Sequence, residues 1–240
     1  MGIFSKKKSA VNNPQCAVVI VAAGSSERMG FDKIMYKIGD IPVIIRTALA
    51  FNRSELVSEI VIVAASSKLE EIADLCSKFD LKKVRTIVCG GSNRAESALA
   101  GVSAVSEGAK LIAIHDGARP LVTEELIART VFAAAEYRAA VPAVKCTDTL
   151  KKISEDGFTV QNVCRDDVVS IQTPQIFDAD IIKGALTAVV TKNIAVTDDS
   201  SAVELMGLKS RIVEGDKENI KLTTVADIKI AEFLFSIRGN

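Results

Sequence analysis

The sequence has 240 residues, of which 48% are hydrophobic and 25% charged, and its 30 Lys and Arg balance 30 Asp and Glu. This length fits one large α/β domain. The zero formal net charge lacks the basic excess of nucleic-acid-binding proteins. Apolar runs stay shorter than the ~18 residues of a membrane-spanning helix, so we expect neither a nucleic-acid partner nor a membrane partner.

Five cysteines occur at irregular spacing without a C-x-x-C pair, and His115 is the single histidine. This pattern indicates reduced thiols in a cytoplasmic protein and argues against a zinc site. Residues 1–15 lack the apolar core of a signal peptide. We therefore expect a flexible tail over residues 1–15 and one domain over residues 16–240.

Short apolar runs alternate with segments of helical periodicity along the first 144 residues. Near-continuous apolar runs predict strands that are covered on both faces, as in parallel sheets. The predicted strands are 17–23, 59–65, 84–89, 110–115 and 139–144, and the predicted helices are 42–51, 68–79, 94–105 and 123–137. Pro42 suits a first helical turn, and Thr123 suits an N-cap. The alternation predicts a doubly wound, mostly parallel α/β sheet.

The alternation stops at residues 145–177, where no helical period is present. Polar and apolar residues alternate there around a turn at "EDG", residues 155–157, which predicts a long β-hairpin arm. Because a hairpin cannot bury itself, we expect this arm to protrude and reach a second copy of the chain. Two helices (178–190 and 198–207), a strand (209–215) and a helix from Thr224 that opens with a capping box complete the chain.

The loops after the predicted strands carry small residues and cations. Ligands of open parallel sheets bind beyond the carboxyl ends of the strands, so these loops predict one crevice. Its candidate residues are Ala22, Ala23, Gly24, Arg28 and Lys33 after the first strand, Gly91, Arg94 and Ser97 after the third, Asp116 and Arg119 after the fourth, and Thr149 after the fifth.

The first of these loops carries neither G-x-G-x-x-G nor a Walker A pattern. Small residues still allow close backbone approach, and a helix N-terminus with Arg28 and Lys33 suits a phosphate. The alternative is that both cations are solvated surface charges, which their position after an Ala-Ala-Gly strand end disfavours. No G-x-S-x-G elbow accompanies His115, so we expect a hydrogen-bonded strand-end histidine and not a triad member.

Five segments occur together in one order and carry a family resemblance. They resemble the 2-C-methyl-D-erythritol 4-phosphate cytidylyltransferases, enzymes of the non-mevalonate isoprenoid pathway. The segments are "AAGSSERMG" (22–30), "HDGARPLVT" (115–123), "TPQIF" (173–177), "VTDDSSAVELMG" (196–207) and "VEGDKENIKLTT" (213–224). The resemblance implies a Rossmann-like nucleotidyltransferase that converts CTP and the polyol phosphate into CDP-methylerythritol and pyrophosphate. Charge neutralisation and positioning by Arg and Lys side chains, without a covalent intermediate, suit such chemistry.

The resemblance also implies roles for individual residues. Arg28 and Lys33 would stabilise the transition state, although "DKI" stands here where the family more commonly has Pro-Lys-Gln. The cytosine pocket would be formed by the backbone at Ala22, Ala23 and Gly91, with Ser97 helping. Gly24 would also bind substrate, and Arg94 would lie either at the site or on the surface at a helix start. The resemblance also implies that Asp116 and Arg119 contact ribose and polyol, and that Thr197 and Lys221 contact the acceptor and its phosphate. Thr149 and Arg165 lie on the predicted arm. Arg165 would hold the acceptor phosphate in the partner subunit of a homodimer.

Magnesium is implied as the ion that accompanies CTP. We expect its ligands to be mainly phosphate oxygens, with Asp116 as the one side chain that could contribute. Two alternatives remain open from the sequence. One is a ribitol-5-phosphate cytidylyltransferase on the same scaffold, and the other is a nucleotide-binding homologue without catalytic activity.

Overall fold

A single mixed sheet forms the centre of the molecule, and helices cover both of its faces. The computed structural model describes residues 14–24 and 30–238, so Arg28 lies outside the described residues. The main-sheet strands are β1 (Cys16–Ala22), β4 (Val57–Ala64), β5 (Val84–Cys89), β6 (Leu111–Asp116), β7 (Ala139–Lys145), β10 (Val169–Ile171), β11 (Gln175–Asp178) and β12 (Arg211–Glu214). Two short ladders complete the strands, β2 (Lys37–Ile38) with β3 (Ile41–Pro42), and β8 (Leu150–Ile153) with β9 (Thr159–Val163).

The strand order is β10-β7-β11-β6-β1-β4-β5, and β12 pairs with β7. β1 lies parallel to both of its neighbours, with Val19 opposite Val61 of β4 and opposite Ile114 of β6. β10 and β11 run antiparallel to the strands that they contact, and β12 runs parallel to β7. The predicted doubly wound, mostly parallel sheet is therefore confirmed.

Seven helices flank the sheet in the described chain: α1 (Val43–Arg53), α2 (Leu69–Lys78), α3 (Arg94–Ser103), α4 (Glu124–Tyr137), α5 (Ala179–Thr191), α6 (Asp199–Glu204) and α7 (Val225–Arg238). Alternate residues of β1 enter different cores, as the strand period requires. Val18 and Ile20 pack with α1, α2 and α4 on one face, whereas Ala17 and Val19 pack with α3, α5 and α6 on the other. A third, smaller cluster holds α7 against the loop after β6.

Side-chain caps fix several helix starts at the predicted positions. Thr123 accepts a hydrogen bond from the backbone N–H of Leu126 (3.3 Å), which confirms its predicted N-cap role. Thr224 and Asp227 exchange backbone and side-chain hydrogen bonds, so the predicted capping box is present. Pro42 is different from the prediction, because it precedes the helix as its N-cap residue and does not lie in the first turn.

The segment predicted as one long arm, residues 145–177, forms two separate parts of the structure. Its middle forms the β8–β9 hairpin, whose turn is closed by Ser154 and Phe158 and uses Gly157 at φ +88°. Its last third instead enters the main sheet as β10 and β11, and β11 lies between β6 and β7. The predicted arm is therefore too long, because the apolar residues of β11 fill a gap in the central sheet that the sequence pattern does not reveal.

His115 lies near the end of β6, fully buried, and its two ring nitrogens both have partners. Nε2 is 3.1 Å from the carbonyl oxygen of Arg119, and Nδ1 is 3.0 Å from the hydroxyl of Thr173. A carbonyl can only accept, so Nε2 carries the proton and the Thr173 hydroxyl donates to Nδ1. The ring also packs edge-on against Phe51 at a centroid distance of 4.8 Å. His115 is thus the structural residue that the sequence predicts.

Burial lowers the pKa of His115 to about 4 from its ordinary 6.5, so the folded protein keeps the ring neutral where the unfolded chain binds a proton. The free energy of unfolding should therefore fall as pH drops from about 6.5 to about 4, by up to ~1.4 kcal/mol per pH unit from this group. Urea unfolding at several pH values in that window should show a shallower dependence in His115→Asn than in the wild type. Equal slopes in the two proteins would contradict this assignment.

Candidate active site

Two cavities adjoin at the carboxyl ends of the central strands. The first, about 390 Å³, lies against the ends of β1 and β6 and the start of α3. The second, about 470 Å³, lies between the end of β10, the start of β11, the loop after β6 and the start of α6. Arg94, Asp116 and Lys221 line both cavities and so form the wall between them. This position matches the crevice predicted from the loops that follow parallel strands.

The carboxylate of Asp116 is the centre of this wall, and three cations surround it. Its Oδ2 lies 3.0 Å from Nζ of Lys221 and 3.3 Å from Nε of Arg119, and its Oδ1 lies 3.7 Å from Nη2 of Arg94. Burial would raise the pKa of Asp116, but Lys221, Arg94 and Arg119 outweigh it and hold the pKa well below its usual range. One fixed negative charge thus gathers three positive charges at the junction of the cavities.

Arg94 is the first residue of α3, and its side chain turns inward rather than into solvent. Its Nη2 lies 2.7 Å from Oδ2 of Asp199, a carboxylate that is 1% exposed. Burial alone would lower the pKa of Arg94, but the nearby Asp199 and Asp116 raise it overall, so the guanidinium stays charged. Of the two possibilities open from the sequence, a place beside the pocket is therefore the one observed.

The small residues of the first cavity are brought together by β1 and the loop after β5. Ala22, Ala23, Gly24, Gly91 and Ser97 all line it. The backbone N–H of Gly91 donates to the Ser97 hydroxyl (3.1 Å), which in turn donates to the carbonyl of Asn93 (2.9 Å). A Cβ on Gly91 would come within 2.3 Å of the Glu96 side chain, so only glycine fits this loop. This part of the cavity is therefore lined by residues with small side chains.

Lys33 also lines the first cavity and lies within a hydrogen-bonded turn. Asp32 starts this turn, since its carboxylate accepts from the N–H of Ile34 (3.2 Å) and its carbonyl accepts from the N–H of Tyr36 (3.1 Å). The Asp32 carboxylate also lies 3.5 Å from Nζ of Lys68. Asp32 thus organises the backbone around Lys33 locally.

The second cavity contains Thr197 and Arg119, and most of its other polar lining residues were not identified from the sequence. Arg119 donates to the carbonyl of Asn219 (2.7 Å), while the buried Asn219 amide donates to the carbonyl of Thr173 (2.8 Å). Gln172 reaches the carbonyl of Asp216 at 2.8 Å. These contacts fix the loop that carries Lys221 against β10 and β11. They depend on the position of β11, which explains why sequence spacing did not reveal them.

Among the predicted site residues that the structure describes, Thr149 and Arg165 are the two that line neither cavity. Both are exposed, and Arg165 reaches only the carbonyl of Thr147 at 3.5 Å among its described hydrogen bonds. Thr149 precedes β8 and Arg165 follows β9, so both lie at the base of the hairpin. Their predicted role in completing the site of a partner subunit stays a prediction.

The carboxylates of the crevice do not form a metal site on their own. No group of three or more His, Cys, Asp or Glu suitable for a metal ion is present among the described residues. Asp116, the one side chain that could contribute to Mg²⁺ binding, already has both carboxylate oxygens directed at cations. These contacts suit a carboxylate that positions neighbouring cations. They suit a direct ligand of a divalent ion less well, because both oxygens are already paired.

No helix among the described residues is long and apolar enough to cross a membrane.

Comparison with known proteins matches this chain to one family along nearly its whole length. The family model for 2-C-methyl-D-erythritol 4-phosphate cytidylyltransferase matches residues 16–236. A relative of that name from Caldanaerobacter subterraneus is 40% identical over 219 residues, covering 90% of this chain and 96% of the relative. Another of the same name from Dehalococcoides mccartyi is 40% identical over 223 residues, covering 92% and 96%.

Solved structures give the same result for the fold. The 4-diphosphocytidyl-2C-methyl-D-erythritol synthase of Anaerococcus prevotii has a TM-score of 0.82 at 31% identity, covering 94% of this chain and all of that one. The 2-C-methyl-D-erythritol 4-phosphate cytidylyltransferase of Thermus thermophilus has a TM-score of 0.76 at 27% identity, covering 92% and 98%. The family match, the relatives and the geometry agree, and the chain belongs to the 2-C-methyl-D-erythritol 4-phosphate cytidylyltransferase family.

Proposed function

We propose that this chain transfers the cytidylyl group of CTP to 2-C-methyl-D-erythritol 4-phosphate and releases pyrophosphate. The observation that carries the proposal is the pair of cavities that share a wall of Arg94, Asp116 and Lys221. Two polyanionic substrates need adjacent sites with positive charge between them. The two cavities supply the sites, and Arg94 and Lys221 in their common wall supply the charge. Family membership along residues 16–236 supports the same reaction.

In this proposal the first cavity holds CTP and the second holds the polyol phosphate. The cytosine would meet the backbone of Ala22, Ala23 and Gly91, with the Ser97 hydroxyl beside it. Unpaired donors and acceptors in such a pocket reject a wrong base. Asp116 and Arg119 would contact ribose and polyol hydroxyls, and Thr197 would contact the acceptor.

The reaction needs no nucleophile from the protein. An oxygen of the acceptor phosphate forms a bond to the α-phosphorus of CTP, while the bond from that phosphorus to the bridging oxygen breaks and pyrophosphate leaves with the electron pair. Lys33, with Arg28, would neutralise the charge that develops on the triphosphate, and Lys221 would hold the acceptor phosphate in line. We take Mg²⁺ as part of the CTP substrate complex, with phosphate oxygens as its main ligands.

The hairpin supports a dimeric form of the enzyme. Its side chains include Ile153 and Phe158, which are 70% and 71% exposed and belong to none of the three core clusters of the described residues. Exposed apolar side chains on a two-stranded ladder need a partner surface. We propose that the hairpin contacts a second copy, so that Arg165 completes the partner's acceptor site in a cytoplasmic homodimer.

The reaction is tested by measuring pyrophosphate release with each nucleotide and each acceptor. We expect release with CTP and methylerythritol phosphate to exceed release with ribitol 5-phosphate, and the other nucleoside triphosphates to be poor substrates. A preference for ribitol 5-phosphate would make the chain a ribitol-5-phosphate cytidylyltransferase. Absence of release with either acceptor, in protein that binds CTP, would identify a non-catalytic homologue.

Lys33→Ala and Arg28→Ala should each keep the fold and reduce kcat by about 10²–10³, the usual loss for one preorganised charged group. The measurement is steady-state pyrophosphate release at saturating CTP and acceptor. Lys82→Ala is the matched control, since Lys82 is an exposed lysine that pairs with Asp80 and lines neither cavity. Near-normal kcat in either site variant would refute the assigned role.

Mixing two inactive variants distinguishes action of Arg165 within its own chain from action in the partner. If Arg165 serves the partner, an Arg165→Ala and Lys33→Ala heterodimer contains one intact site and one doubly altered site. Random reassortment of equal amounts should then restore about a quarter of wild-type activity, from half the dimers with one working site each. No recovery after demonstrated subunit exchange would place Arg165 in its own chain's site or outside the site.

A further inference from the structure

Asp199 is a buried carboxylate that lies outside both cavities yet contacts their common wall. It is the first residue of α6, and its side chain is absent from the lining of either cavity. It is 1% exposed, and its Oδ2 accepts a hydrogen bond from Nη2 of Arg94 at 2.7 Å. The same Nη2 lies 3.7 Å from Oδ1 of Asp116. Arg94 therefore connects a hidden carboxylate to the carboxylate at the centre of the site.

Burial of the Asp199 carboxylate costs free energy, and its surroundings do not supply all of the hydrogen bonds that would offset this cost. Oδ1 of Asp199 is buried and has no hydrogen-bond partner among the described residues. Burial raises the pKa of Asp199, and Arg94 opposes that rise only in part. A buried carboxylate that served the fold would have its lone pairs satisfied by backbone or side-chain donors. Among the described residues, Arg94 is the one charged group that forms an ion pair with Asp199, so the contribution of Asp199 is to Arg94.

Neighbouring contacts hold Asp199 in place. Asp198 caps α6 by accepting from the N–H of Ser201 (2.9 Å), and the Gln175 amide donates to Asp198 at 2.8 Å. The carbonyl oxygen of the Gln175 side chain accepts from the N–H of Ser200 at 2.9 Å. The first turn of α6 is thereby fixed to β11. Asp199 lies between these two tethered residues, so its carboxylate has a defined position.

The loop that Arg94 terminates forms the side of the first cavity. Asn93 caps α3, and Gly91, Ser97 and Arg94 line that cavity together. Without a fixed anion behind it, the Arg94 guanidinium would turn further toward Asp116 or into solvent. Either movement would change the charge presented to a nucleotide in the first cavity. The position of Arg94 therefore depends on a residue that no substrate can touch directly.

We propose that Asp199 is a positioning residue of the CTP site, which holds the Arg94 guanidinium on the wall between the two cavities. This inference rests on the proposed function, because it takes the first cavity as the CTP site. Its effect passes through Arg94 alone. The replacement Asp199→Asn keeps the volume and one acceptor oxygen but removes the charge that orients Arg94.

The test is calorimetric titration of the full chain with CTP and Mg²⁺, without acceptor. Asp199→Asn should weaken CTP binding about tenfold, the size expected for loss of one charge-assisted contact. The same change made in an Arg94→Gln background should alter binding less than twofold, because the group through which Asp199 acts is already gone. Asp199→Ala provides a second measurement should the asparagine variant fold poorly.

Thermal unfolding checks that Asp199 and Arg94 depend on each other, whereas CTP affinity separates a positioning role from a purely structural one. Arg94→Gln alone should lower Tm by several degrees because it leaves Asp199 without its cation, and adding Asp199→Asn should restore Tm. Glu59→Gln is the matched control, since Glu59 is a buried carboxylate near Arg85 and Ser106 that lines neither cavity. It should leave CTP affinity unchanged.

Wild-type CTP affinity in folded Asp199→Asn, or additive losses in the double variant, would overturn the positioning role. A wild-type chain that fails to bind CTP would instead overturn the proposed function, and the wild-type titration alone reveals that failure.

Discussion

The attraction between Asp116 and three cations is the interaction on which the whole site depends. Arg119 follows it by one turn of loop, Arg94 begins a helix that follows another strand, and Lys221 lies in a loop about a hundred residues later. No local element could bring all of these charges together. The parallel strands do so, because their carboxyl ends meet at one edge, and a single buried carboxylate there offsets the repulsion among its cations.

This arrangement solves the physical difficulty of the proposed reaction. The triphosphate and the acceptor phosphate repel each other, and water would screen them without orienting them. A wall of fixed cations between two cavities both neutralises and aligns the anions. The neutral His115 ring stabilises the backbone near this wall. Its hydrogen bonds to the Arg119 carbonyl and to the Thr173 hydroxyl fix the segments that flank Asp116. Asp199 contacts the wall through its hydrogen bond with Arg94.

Much of the fold was predictable from local pattern. Buried parallel strands such as β1 and β4 are apolar on both faces, so their sequences alone identify them, and Thr123 and Thr224 mark helix starts by their own side chains. The reversal of β11 was not predictable, because the segment that ends at Phe177 becomes a strand only when β6 and β7 leave a gap for it. The arm was consequently predicted too long.

The candidate site divides in the same way. Loop residues such as Lys33, Gly91 and Lys221 were predictable because they follow strands or stand in family-like segments, and the structure brings them to one crevice. Asp199 and Asn219 were missed, because their importance lies in what they support and their partners are distant in sequence. The role proposed for Arg165 involves a second copy of the chain, and contacts between two copies cannot be read from the spacing of residues within one sequence.

The most direct test of the wall of charges formed by Arg94, Asp116 and Lys221 is a crystal structure of the full chain with CTP, Mg²⁺ and the acceptor or a phosphonate analogue of it. The account predicts the triphosphate in the first cavity against Lys33, the acceptor phosphate in the second against Lys221, and Arg94 between them still paired with Asp199. A triphosphate bound away from Lys33, or both anions in one cavity with Lys221 turned away, would contradict it.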